Sequence, residues 1–144
     1  MTDNIYKSDR AGRFIVNNQK LKPKRKTKGS AGYDFVAPET VEIPAHGMIR
    51  FDSGVKVLMR DGYVFQLYIR SSLGKKGISL INAVGIIDSD FHDSMQALLI
   101  NYSDEPYTIY KGDRYMQGIF TRYFTTDDDR VEDVRTGGIG STGR

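Results

Sequence analysis

The chain has 144 residues, 39% of them hydrophobic and 27% charged, with a formal net charge of +3, the profile of one ordinary globular domain. It contains no cysteine and only two histidines, His46 and His92, which excludes a disulfide framework, a thiolate metal site and a cysteine nucleophile and argues against a histidine zinc site. No apolar run approaches the roughly 20 residues of a membrane span, and no signal-peptide core opens the chain, so a cytoplasmic location is expected.

In chain order, an edge strand is expected at 13–16. The basic run Lys20-Leu21-Lys22-Pro23-Lys24-Arg25-Lys26-Thr27-Lys28 has two readings, a phosphate-facing surface or a solvated, proline-interrupted loop between two strands. Short β-branched or aromatic runs follow at 48–51, 55–59, 63–70, 95–102 and 107–110, separated by Asp52-Ser53-Gly54, Arg60-Asp61-Gly62, Ser103-Asp104-Glu105-Pro106 and Lys111-Gly112-Asp113. In the longest run, Phe65, Leu67 and Ile69 fall on one face at period two. No window carries a capped amphipathic helix. The pattern is all-β, a sandwich or barrel. One β domain is expected over 1–127, with Asp127-Asp128-Asp129 as a solvated turn, and 128–144 as an extended arm.

The arm ends in Arg135-Thr136-Gly137-Gly138-Ile139-Gly140-Ser141-Thr142-Gly143-Arg144. Its Gly138–Gly143 stretch satisfies G-x-G-x-x-G literally, but a dinucleotide fingerprint needs a preceding strand and a helix opening on its last glycine. The composition still suits an anion: glycine N–H groups, two hydroxyls and two guanidinium groups. Four further clusters interrupt the strands. They are Gly29-Ser30-Ala31-Gly32-Tyr33-Asp34, Arg70-Ser71-Ser72-Leu73-Gly74, Asn82-Ala83-Val84-Gly85-Ile86-Ile87-Asp88-Ser89-Asp90-Phe91 and Gly112-Asp113-Arg114-Tyr115-Met116-Gln117. The third reads as a hairpin bearing two carboxylates beside an aromatic ring.

In order and spacing these five clusters resemble the five motifs of the trimeric dUTPase family, whose members include phage and Gram-positive enzymes. The resemblance runs from about residue 28 to the C-terminus and implies a distorted β jelly roll or barrel assembled as a homotrimer with shared active sites. It implies Mg2+-assisted hydrolysis of dUTP to dUMP and pyrophosphate, which limits uracil incorporation into DNA. Asp88 would be the general base that activates a water against the α-phosphorus. Asn82 and the backbone at Gly85 would read the uracil edge, and Phe91, where the family usually has tyrosine, would press on the deoxyribose. Arg70, Ser71, Ser72 and Gln117 would hold the α- and β-phosphates. Asp34 would reach the Mg2+ through water, Gly32 would serve backbone geometry, and Arg114 would pair with a nearby carboxylate. From the arm, Arg135, Gly138, Gly140, Ser141 and Thr142 would close on the γ-phosphate.

Two departures stand out. Ile139 occupies the place of the family's base-stacking phenylalanine, which predicts weaker stacking unless Phe124 or Phe91 supplies the covering ring. His92-Asp93-Ser94 replaces the usual exit from the third motif. Three other readings remain. A dCTP deaminase shares the fold and the Arg-Ser-Ser segment, but Met95-Gln96-Ala97-Leu98-Leu99 offers no proton-shuttling glutamate. A non-catalytic regulator on the same fold would have no need of Asp88 or the arm. A single-stranded nucleic-acid binder would use the basic run, although no membrane or direct nucleic-acid partner is expected from the motifs.

Overall fold

A computed structural model describes residues 10–136. Among them are eleven strands: β1 (Gly12–Val16), β2 (Tyr33–Val36), β3 (Val41–Ile43), β4 (Met48–Asp52), β5 (Val55–Met59), β6 (Tyr63–Ile69), β7 (Ile78–Leu80), β8 (Gly85–Ile87), β9 (Gln96–Asn101), β10 (Tyr107–Ile109) and β11 (Arg114–Arg122). They pair antiparallel in four small sheets, β1-β5, β3-β10, β2-β11-β6-β8 and β4-β9-β7. Non-consecutive neighbours in every sheet make the chain cross repeatedly between layers, as in a jelly roll. Among the described residues helix is confined to one turn of α1 (Ser71–Gly74) and a 3-10 turn at Gln19–Leu21, where Asn18 caps the Lys20 amide. None of the described helices is long and apolar enough to cross a membrane.

Side-chain alternation builds the core. Val55, Val57 and Met59 of β5, Phe65 and Leu67 of β6, and Ala97 and Leu99 of β9 are all buried at period two. An aromatic cluster clamps the β1-β5 pair onto the four-stranded sheet. Phe14 of β1 meets Phe65 of β6 at 5.4 Å and Tyr33 of β2 at 5.2 Å, and Phe65 lies 4.5 Å from Phe120 of β11. Gly118 of β11 makes this possible, because a Cβ there would overlap the Phe65 ring.

β11 breaks the period, since Tyr115 and Met116 are consecutive and both fully buried. A register shift against β2 between Arg114 and Met116 accounts for this, a bulge that turns two neighbours inward. The sequence pattern did not single out the three-residue strands β3 and β7. It read 82–91 as a hairpin, whereas β8 pairs with β6, Ile87 opposite Phe65 and Gly85 opposite Leu67. Gly85 fits there because a Cβ would come within 3.0 Å of Leu67.

Candidate active site

Polar groups gather at both ends of β6. β8 runs antiparallel to β6, so the chain enters it from the Arg70 side, through Asn82 and Ala83, the latter held at a left-handed φ of 64°, and leaves it at the Tyr63 end. Asn82 is exposed, and its side chain makes no hydrogen bond among the described residues. β8 ends at Ile87, and a turn closed by the Phe91 amide on the Asp88 carbonyl (3.1 Å) folds Phe91 into the core, where it is 4% exposed. Burying that ring leaves the carboxylates of Asp88 and Asp90 facing solvent, 50% and 56% exposed.

Arg135 lies across both. Its Nη1 donates to Asp88 Oδ2 at 2.9 Å and to Asp90 Oδ1 at 3.1 Å, while the guanidinium stands 5.4 Å over the Phe91 ring. The hydrogen bond to Asp88, joined by Asp90, pushes the Arg135 guanidinium above its already high ordinary pKa. A cleft of about 860 Å³ opens here, walled by Gln66, Ile86, Tyr123, Val131 and Val134 as well as the two aspartates.

At the other end, β6 runs into Arg70 and then α1. Asp34 of β2 sits between two arginines, 3.4 Å from Arg70 Nε and 3.7 Å from Arg114 Nη1, with its side chain only 16% exposed. Arg70 is held further by donating to the Arg114 carbonyl at 3.3 Å. Gln117 is in register with Asp34 on one side and Tyr68 on the other, so the three share a sheet face. The chain approaches Gln117 closely at Gly32, where a Cβ would strike the Gln117 side-chain oxygen. Ser71 and Ser72 present exposed hydroxyls on α1. A pocket of about 340 Å³ joins Arg70 and Ser72 to Lys76, Arg114 and the Tyr107 ring, which Lys76 overlies at 5.4 Å.

The register sets the distance between the clusters. Asp88 follows Ile87, the partner of Phe65, and so lies level with Val64, six residues before Arg70. At strand spacing that is about 20 Å. One chain therefore gathers Asp34, Arg70, Ser71, Ser72 and Gln117 at one end of β6 and Asp88, Phe91 and Arg135 at the other, with Gly85 opposite Leu67 between them and Asn82 on the Arg70 side of Gly85. Gly138, Ile139, Gly140, Ser141 and Thr142 lie outside the described residues. Sequence reasoning assigned no role to Asp90, although its place two residues after Asp88 was the available signal. It also passed over Tyr123, Val131 and Val134, apolar residues in a stretch without periodicity. Asp34 was expected at a metal; its nearest charged partners are the two arginines. Among the described residues no three His, Cys, Asp or Glu side chains converge as a metal cluster.

A jelly-roll-like chain with an exposed carboxylate pair in a cleft and a separate arginine and hydroxyl basin has the build of an all-β nucleotidohydrolase. Residues 18–143 match the dUTPase family. The chain belongs to that family. It is 42% identical over 130 residues to the deoxyuridine 5'-triphosphate nucleotidohydrolase of Lactococcus lactis, covering 84% of this chain and 87% of that one. The enzyme of the same name from Finegoldia magna is 38% identical, covering 84% and 90%. Among solved structures, the dUTPase of Streptococcus mutans superposes with a TM-score of 0.74 at 35% identity, over 82% of this chain and 99% of that one. A mutant dUTPase of phage phi11 of Staphylococcus aureus, whose structure describes coordination of a structural Mg(II) ion, shares the fold at a TM-score of 0.74 and 21% identity, over 88% and 100%.

Proposed function

We propose that this chain hydrolyses dUTP to dUMP and pyrophosphate at sites completed by a second copy of itself in a homotrimer. The exposed Asp88 carboxylate beside the cleft carries the reading. Asp88 accepts a proton from water as the water oxygen bonds to the α-phosphorus and the bond from that phosphorus to the bridging oxygen breaks, releasing pyrophosphate. Asn82 and the Gly85 backbone read the base, and the covered face of Phe91 borders the sugar. Arg70, Ser71, Ser72 and Gln117 hold the α- and β-phosphates with charge-assisted and neutral hydrogen bonds.

The 20 Å between Asp88 and Arg70 within one chain supports sharing, because a water must touch both the base and a phosphorus held by the arginine. Two copies related by a three-fold axis can bring one chain's Asp88 to the other's Arg70. The segment 128–144 closes over the bound nucleotide, and Arg135 transfers from Asp88 and Asp90 to the γ-phosphate. That exchange frees the base only when a triphosphate is present.

Asp34 is a single carboxylate already paired with Arg70 and Arg114, with no acidic cluster around it among the described residues, so it would not bind Mg2+ directly. Such a site fits a cation that arrives on the triphosphate and keeps part of its water, with Asp34 touching that water. Mg2+ would neutralise charge on the phosphates. Purified protein given Mg2+ and dUTP, dCTP, dTTP or UTP in turn is expected to yield pyrophosphate and the monophosphate from dUTP alone. Ammonia released from dCTP, or no turnover of any of them, would contradict the reading.

A further inference from the structure

Residues 20–28 carry six basic side chains and no acidic one. Arg25 is committed to the loop itself, donating to the carbonyls of Thr27 (3.4 Å), Lys28 (2.8 Å) and Ser30 (3.1 Å). The Thr27 and Ser30 hydroxyls bond each other at 2.6 Å, and the 3-10 turn is capped at Asn18. Lys20, Lys22, Lys24, Lys26 and Lys28 are all exposed, and among the described residues none makes an ion pair with a carboxylate. A tethered backbone thus holds five like charges close together, an arrangement that repels itself and is relieved by a polyanion.

The loop is stitched to the sheet at one point. Lys24 and Asp34 form an antiparallel bridge, with the Asp34 amide donating to the Lys24 carbonyl at 2.9 Å and the reverse bond at 3.3 Å. Directly paired residues project to the same face. Lys24 therefore extends the row formed by Asp34, Gln117 and Tyr68, beside Arg70 and Arg114.

We infer that the 20–28 loop is an electrostatic capture surface for the polyphosphate of the incoming nucleotide, with Lys24 as its innermost member. This rests on the proposed hydrolysis and adds a residue set that governs how fast substrate is caught. Steering of this kind raises association rates by about 10- to 1,000-fold where a cleft focuses the field, and salt weakens it.

The test compares Lys24→Gln/Lys26→Gln with Arg50→Gln/Lys56→Gln, which removes two charges from exposed positions on β4 and β5. At low ionic strength the loop variant is expected to lose about three- to tenfold in kcat/KM, with kcat within about twofold of wild type. Its kcat/KM should fall less steeply with salt and meet wild type in concentrated salt, while the β4/β5 variant stays near wild type throughout. Equal kcat/KM and equal salt slopes for the two variants would overturn the inference. Failure of wild type to turn over dUTP would remove the proposed hydrolysis and not this inference, since calorimetric binding of inorganic tripolyphosphate remains to judge the loop. Weaker tripolyphosphate binding by the loop variant supports it, and unchanged binding overturns it. Loss of affinity for a labelled single-stranded oligonucleotide with kcat/KM untouched would also overturn it, assigning the lysines to nucleic acid.

Discussion

At the residue scale, Arg135 covers the proposed base. Its guanidinium spans Asp88 and Asp90, side chains that are otherwise half in water. A carboxylate so paired is a poor partner for a nucleophilic water, which is why transfer of Arg135 to a phosphate fits the proposed reaction. Arg135→Gln is expected to raise KM for dUTP about tenfold or more, the worth of a lost charge-assisted hydrogen bond. Steady-state kinetics measures it, and an unchanged KM would place Arg135 outside substrate binding. Asp88→Asn is expected to lower kcat by about 100- to 10,000-fold, the usual contribution of a general base. Calorimetry should show nucleotide binding largely kept, and lost binding would give Asp88 a different role. Asp34 stood out in the sequence from its motif, but its clasp by Arg70 and Arg114 did not, because Arg114 reaches its face through the β11 bulge.

Elements explain most of what the sequence revealed. β5, β6 and β9 were legible because each buries alternate apolar side chains over five or more residues. β3 and β7, of three residues each, are too short to establish a period. β11 hid behind its bulge, where Tyr115 and Met116 both turn inward. The turn after β8 shows the same limit from the other side, since the pattern around Phe91 did not reveal that its ring is packed into the core with Arg135 over it. Local pattern reports alternation; it does not report which distant strand receives the segment. The tightest fit around a glycine among the described residues is equally non-local. Gly118→Ala on β11 would force its Cβ into the Phe65 ring and disturb the aromatic cluster. A loss of about 1–3 kcal/mol is expected in denaturant unfolding, and a neutral result would mean that the cluster adapts.

At the scale of the whole molecule, the register of β6 and β8 matters most. It puts Asp88 and Arg70 at opposite ends of one strand, which is the ground for proposing that the base and the phosphate anchor of one site come from different copies. The motifs stand out in the sequence, but the separation of Asp88 from Arg70 is invisible there because it depends on the register in which β6 receives β8. The most direct test mixes two inactive variants, Asp88→Asn and Arg70→Ala, by co-expression or by joint refolding. Random assembly of cyclic trimers gives every mixed trimer one site with both residues intact, so about a quarter of wild-type dUTP turnover is expected to return. A mixture as inactive as its parents, with mixed trimers demonstrated by mass spectrometry, would contradict a site shared between copies.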